Sequence, residues 1–225
     1  ELYEVALRDA AIRPITDRVG PDRAPAVSPD GSMIAYLGFD DRYLGYQNVR
    51  LYVMDRKSHQ ARSLTDALDR TIDALAWAGD GRSILVSYVD HGVTKVARVQ
   101  LVGRRDVVAE GLAGEPIDRP YAGGKFSVAR DGTVAFTQGT PQSLPGVAVE
   151  RKGRTRQLTQ LNEGALADKT LAAVRPLQVV SSFDKRSIDA WIVTPPDFDR
   201  TRKYPLILEI HGGPFAAYGP TFSTD

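Results

Sequence analysis

Near the C-terminal end of the sequence, His211-Gly212-Gly213-Pro214-Phe215 follows the mostly apolar run Tyr204-Pro205-Leu206-Ile207-Leu208-Glu209-Ile210. Two successive glycines leave a loop backbone free of side chains and able to take positive φ, so its N–H groups can be presented to a ligand atom that comes close. Preorganised N–H donors of this kind stabilise the oxyanion that develops during acyl transfer. The pattern therefore predicts an oxyanion loop made of His211, Gly212 and Gly213, with the Gly213 N–H as donor. The run ahead of it, opened by a proline and closed by glycines, predicts a buried strand that ends at the loop. An ordinary strand-to-loop turn is the alternative reading.

A complete acyl-transfer site also needs a nucleophile and a base. In α/β-hydrolases a His-initiated, glycine-rich loop supplies one oxyanion donor, and the serine rides on a later Gly-x-Ser-x-Gly elbow; no such elbow occurs in these 225 residues. The three histidines do not fill the gap. His59 and His91 fall in polar turns and are expected to be solvated surface residues, whereas His211 is expected to brace the glycine loop rather than abstract a proton. The absence of cysteine excludes disulfides, thiolate metal sites and a cysteine nucleophile. No cofactor and no metal site is expected.

The elements that must position this loop belong to a chain of ordinary globular composition, 42% hydrophobic and 25% charged, with a formal net charge of +1. Interspersed charge gives no electrostatic case for a nucleic-acid or anionic membrane partner, and the short basic cluster Arg151-Lys152-Gly153-Arg154-Thr155-Arg156 reads as a solvated hairpin. No stretch resembles a membrane span. Cysteine usage suits a reducing cytoplasm and a bacterial periplasm equally.

Most of the chain repeats itself. Leu2-Tyr3-Glu4-Val5 followed by Arg13-Pro14-Ile15-Thr16-Asp17 returns, 49 positions on, as Leu51-Tyr52-Val53-Met54 followed by Arg62-Ser63-Leu64-Thr65-Asp66, with a weaker echo at Arg156-Gln157-Leu158-Thr159. A second signature, Ser28-Pro29-Asp30-Gly31, returns as Ala78-Gly79-Asp80-Gly81 and Ala129-Arg130-Asp131-Gly132, so that the aspartates at 30, 80 and 131 recur at spacings of 50 and 51 residues. Each Asp-Gly precedes a run of strand formers: Met33 to Leu37, Ile84 to Tyr88 and Val134 to Thr137. An Asp-Gly pair between such runs predicts a tight hairpin, and the aspartates are read as turn residues rather than ligands. About four short antiparallel strands per ~50 residues make a β-propeller blade. Three blades and the trailing half of another fall short of the roughly four to eight in a closed propeller, so the chain is expected to belong to a longer polypeptide.

The repeat ends after Thr159. Asn162 to Leu171 reads as a connector with a helical turn. Leu177 to Ser181 and Ile188 to Val193 then flank a turn at Phe183-Asp184-Lys185-Arg186, and Thr194-Pro195-Pro196-Asp197-Phe198 leads towards the apolar run. Two domains are expected: residues 1–162 as the C-terminal blades of a propeller, and 163–225 as a linker with the first strands of an α/β-hydrolase domain.

This order of parts resembles the prolyl oligopeptidase family of serine peptidases. The resemblance rests on blades with Ser-Pro-Asp-Gly turns, a hairpin leading to Pro195-Pro196-Asp197-Phe198-Asp199, and Lys203 through Pro214. It is closest to the acylaminoacyl-peptidase and dipeptidyl-aminopeptidase-like branch, which Asp40 to Asn48 also resembles. The resemblance implies a propeller that limits access to short peptides, a catalytic Ser, Asp and His beyond Asp225, and a chain that is inactive by itself. Its implied partners are a short or N-acylated peptide substrate and the remainder of the same polypeptide. A non-catalytic propeller that binds other proteins is the competing reading, although such a module has no need of residues 177–215; an esterase on the same scaffold is the third.

Overall fold

The central strands of the first two full repeats are apolar on both faces and are covered on both sides, and the way this comes about defines the architecture. A computed structural model describes residues 1–114, 117–213 and 215–224. Strands β1 (Tyr3–Val5) and β2 (Ile12–Pro14) form a two-stranded sheet. Strands β3 (Asp22–Val27), β4 (Met33–Gly38), β5 (Arg50–Asp55) and β6 (Ala61–Ser63) follow as a four-stranded antiparallel meander. The next meander comprises β7 (Ile72–Trp77), β8 (Ser83–Asp90), β9 (Val93–Gln100) and β10 (Arg105–Leu112); the third comprises β11 (Phe126–Val128), β12 (Val134–Thr140), β13 (Ser143–Arg151) and β14 (Arg154–Gln157). These are three propeller blades preceded by a half blade. The second and third are linked into one hydrogen-bonded sheet through the single pair Leu112↔Gln138.

Alternation along each middle strand serves two cores at once, since successive side chains point to opposite faces. On β4, Ile34 and Tyr36 pack with Leu2, Tyr52 and Met54 beneath the half blade, while Ala35 and Leu37 join Leu51, Ile72, Ile84 and Val86 between the first and second blades. On β8, Leu85 turns the other way and meets Val96, Leu112, Val134 and Phe136 between the second and third. Polar ties cross the same interfaces: the Trp77 indole donates to the Ala26 carbonyl at 2.8 Å.

The three Asp-Gly pairs occupy equivalent turns, joining β3 to β4, β7 to β8 and β11 to β12. Gly31, Gly81 and Gly132 have φ of 75°, 65° and 85°, and each donates to the carbonyl three residues back at 2.9 to 3.0 Å. Each aspartate Oδ1 accepts the backbone N–H two residues on: Ser32 at 3.1 Å, Arg82 at 2.9 Å and Thr133 at 3.0 Å. These bonds stabilise the carboxylate, and with the Ser28 hydroxyl foremost they hold Asp30 at about 2. The second repeat signature has its own structural role. Thr16, Thr65 and Thr159 lie just past the outer strands, and their hydroxyls accept from Leu2, Leu51 and Val147 N–H at 2.9, 2.9 and 2.8 Å.

Beyond the blades come the helical turn α1 (Glu163–Leu166) and a regular hairpin of β15 (Ala173–Val180) and β16 (Ser187–Thr194), in register from Ala173↔Thr194 to Val180↔Ser187. The expected buried strand at Tyr204–Ile210 is not found. Those residues pair with no strand among the described residues, and Leu206, Ile207, Leu208 and Ile210 are 90, 89, 79 and 83% exposed. A strand at the centre of an α/β sheet takes its hydrogen bonds from flanking strands and its burial from helices on both faces. The described residues provide neither to this run.

Candidate functional site

The glycine loop leans on the propeller. Between β10 and β11, the blade linker sends Pro120–Ala122 alongside Ala217–Gly219 as a short antiparallel ladder centred on Tyr121↔Tyr218. Ala122 N donates to Ala217 O at 2.8 Å, and Gly219 N to Pro120 O at 2.8 Å. Farther along, Thr224 N donates to Ile117 O at 3.0 Å. The tip of the β8–β9 hairpin supports this seam from below. His91 and Gly92 form its two-residue turn, both with positive φ (49° and 72°), as a type I′ turn requires. Gly92 and Gly219 approach backbone to backbone, and a Cβ on Gly219 would collide with the Gly92 carbonyl. The Trp191 indole from β16 donates to Tyr218 O at 3.0 Å and closes the same junction.

His211, Gly212 and Gly213 are exposed in sequence-adjacent positions above this seam. The His211 ring stacks on Tyr218 (centroids 4.4 Å apart, planes 22° apart), and the Tyr121 ring meets it edge-on at 6.0 Å. His211 Nδ1 lies 2.7 Å from Gly212 O; a carbonyl only accepts, so Nδ1 carries the proton. Neither Gly212 nor Gly213 takes the left-handed φ that the sequence pattern allowed for. Glycine matters at 213 for space instead: a Cβ there would sit 3.0 Å from the Phe215 N, whereas at 212 it would meet nothing within 4 Å. Pro214 lies outside the described residues.

Charge gathers beside the loop. Glu209 Oε1 accepts from Arg119 Nη1 at 3.2 Å and from the Tyr218 hydroxyl at 3.1 Å. Partial desolvation raises the Tyr218 phenol above its ordinary range, with Glu209 reinforcing and Arg119 opposing, so Tyr218 remains a neutral donor. Tyr46, in the β4–β5 loop, stacks on Phe215 with centroids 5.0 Å apart. Sequence reasoning singled out the loop but missed Arg119, Tyr121, Tyr218 and Tyr46. Tyr121 and Tyr218 carried no signal beyond an aromatic density that many surface loops share, Arg119 carried none, and Tyr46 lay within the Asp40–Asn48 segment of the resemblance without being assigned to the site.

The other histidines separate from this site. His59 lies exposed in the β5–β6 turn. His91 is not simply solvated, because its Nδ1 lies 2.7 Å from Asp189 Oδ2 on β16, tying a blade to the second hairpin. That bond is the foremost reason the Asp189 carboxyl sits below the usual carboxylate range. Among the described residues no group of three His, Cys, Asp or Glu side chains is placed to hold a metal, and no helix is long and apolar enough to cross a membrane.

No family model matches the chain. Over 210 residues it is 28% identical to a probable dipeptidyl-peptidase 5 of Aspergillus clavatus, an alignment that covers 91% of this chain and 28% of that protein. The chain thus spans a little over a quarter of such relatives. Among solved structures it is similar to the acylaminoacyl peptidase of Pyrococcus horikoshii, with a TM-score of 0.73 at 18% identity, over 96% of this chain and 31% of that one. The β-propeller domain of the Trilobed protease from Pyrococcus furiosus matches with a TM-score of 0.50 at 17% identity, over 70% of this chain and 48% of that one. At these identities the two structures speak to fold alone, and the fold they share with this chain includes propeller blades. The sequence relatives support the resemblance to prolyl oligopeptidase-family peptidases, and the fold neighbours agree with it in architecture.

Proposed function

We propose that this chain is a section of a serine peptidase of the prolyl oligopeptidase family, one that removes dipeptides or similarly small N-terminal units from short peptides. The observation that carries this reading is the contact of the His211–Gly213 loop with Tyr121 of the propeller linker, beside the pairing of that linker with Ala217–Gly219, in a chain related along most of its length to dipeptidyl-peptidase 5. The nucleophilic serine and its His and Asp are supplied elsewhere in the longer polypeptide, so residues 1–225 alone form no acyl-enzyme. When the serine attacks, the carbonyl oxygen gains charge, and the Gly213 N–H donates to it. A donor already in place costs no reorganisation at that moment, which is why its effect falls on the transition state. On this reading the completed propeller limits access to short substrates.

The test is made on the full-length polypeptide with a dipeptidyl chromogenic amide. Proline at 213 removes the N–H, so Gly213→Pro should lower kcat by about 10²-fold or more with little change in KM, as fits an interaction made in the transition state. Gly213→Ala keeps the N–H and adds only a tight contact, so its loss should be much smaller. A folded Gly213→Pro enzyme that turned over normally would exclude this donor. A wild-type protein that cleaved aryl esters but no peptide would replace the peptidase reading with an esterase.

A further inference from the structure

Two glycines in series have no side chains with which to hold their own peptide plane, and glycine loses more backbone freedom on ordering than any other residue. A donor built there must be held from outside. The peptide unit that carries the Gly213 N–H also carries the Gly212 carbonyl, and in a planar trans peptide these two groups point in opposite directions. Whatever anchors Gly212 O therefore aims Gly213 N–H.

Two side chains reach that carbonyl. His211 Nδ1–H donates to it at 2.7 Å, and the Tyr121 hydroxyl is directed at it at a long 3.5 Å. Tyr121 also acts on the first of these bonds. Its ring abuts His211 edge-on at 6.0 Å and Tyr218 at 4.8 Å, and Tyr218 in turn is stacked on the imidazole at 4.4 Å. The Tyr121 backbone is itself fixed by the ladder to Tyr218. A chain of contacts thus runs from the propeller linker through the imidazole to the peptide plane of the loop.

We propose that Tyr121, a propeller residue, is a positioning residue for the oxyanion loop: it holds His211 and the Gly212 carbonyl so that the Gly213 N–H faces the reacting oxygen. The proposal rests on the peptidase reading above. It makes docking of the propeller a condition for a competent oxyanion hole, because the residue that orients the loop is carried by a different part of the fold.

The experiment compares Tyr121→Leu, which keeps bulk but loses the ring edge and hydroxyl, with Tyr121→Phe, which loses only the hydroxyl, both in the full-length polypeptide. Three quantities are read: kcat and KM on a dipeptidyl amide, the affinity of a dipeptidyl boronic acid whose tetrahedral adduct places an oxygen in the hole, and the affinity of the product dipeptide. Misplacing a reacting group by about 1 Å can cost on the order of 10²-fold, so Tyr121→Leu should lower kcat by roughly 10- to 10²-fold and weaken the boronate by a similar factor. KM and dipeptide affinity should stay within about twofold, since neither depends on the oxyanion. Tyr121→Phe should lose only about two- to threefold, because the long hydroxyl contact contributes little net energy. If Tyr121→Leu unfolds, Tyr121→Phe with its smaller boronate-selective loss decides the matter. Boronate affinity unchanged in folded variants would overturn the proposal, as would equal losses of boronate and dipeptide, which mark general distortion. A wild-type enzyme that is active while both variants behave normally refutes only the role of Tyr121; an inactive wild type removes the peptidase reading as well.

Discussion

Strand β4 and the run Leu206–Ile210 are alike in composition and opposite in surroundings. On β4, Ala35, Tyr36 and Leu37 are 0, 1 and 0% exposed; Leu206, Ile207 and Leu208 are almost wholly solvated. The difference is not hydrophobicity but the availability of partners. A blade is made by a local meander, and the next copy of the same pattern arrives about 50 residues later to cover its face. A strand of an α/β sheet depends on neighbours brought in by crossover connections from distant sequence. Apolar residues supply the driving force for burial, but the topology decides whether any surface is there to be buried against.

The largest effect that could break this contrast comes from the blade core. Leu37→Ala removes a fully buried side chain between two blades and should destabilise this chain by about 2 to 5 kcal/mol, read from urea unfolding followed by tryptophan fluorescence. A smaller loss than about 1 kcal/mol would mean that the blades are not packed as closely as the burial implies. Gly79 sharpens the same point, because a Cβ there would run into the Arg130 backbone of the neighbouring turn. Gly79→Ala should therefore cost about 1 to 3 kcal/mol through overpacking at the blade interface, whereas a neutral outcome would show that the turns can slide apart.

The seam between blade and hairpin should respond more weakly. The His91 bond depresses the Asp189 carboxyl, so the stabilisation it gives is present above the ordinary carboxylate value of about 4 and is lost as pH falls through the depressed one. Asp189 is 40% exposed, and after solvent screening the contribution is on the order of 0.5 kcal/mol. The stability gap between the chain and its Asp189→Asn variant should close as pH falls below about 4 and through the depressed value. A gap that persisted undiminished in strong acid, where Asp189 is protonated, would contradict this pairing. Smallest of all, Leu208→Ala should change the stability of this chain by less than about 0.5 kcal/mol, for its side chain already faces water. A core-sized loss there would erase the contrast with β4.

The features that could be read directly from the residues were those determined within a few positions of one another. Asp30-Gly31, Asp80-Gly81 and Asp131-Gly132 imply the same turn because glycine accepts the positive φ and the aspartate bonds the backbone two residues on. The second hairpin was legible for a similar reason, from two strand-forming runs around Phe183–Arg186. Thr16, Thr65 and Thr159 were visible as repeats, but their shared hydrogen bond to a strand 12 to 14 residues earlier was not, because it depends on how the outer strand folds back.

By itself the sequence determined the period of the blades, their Asp-Gly turns and the β15–β16 hairpin, since local turn chemistry and alternating hydrophobicity require no knowledge of distant contacts. Only the tertiary structure decided what lies against what. His91 looked like a solvated turn residue until Asp189, 98 positions away, came within 2.7 Å. Tyr121 lay in a blade linker without any motif until that linker paired with Ala217–Gly219 and set its ring against His211. Such contacts join elements remote in sequence, and no local pattern encodes them. They follow from where the blade linker and the hairpin tip emerge once the sheets have twisted and packed.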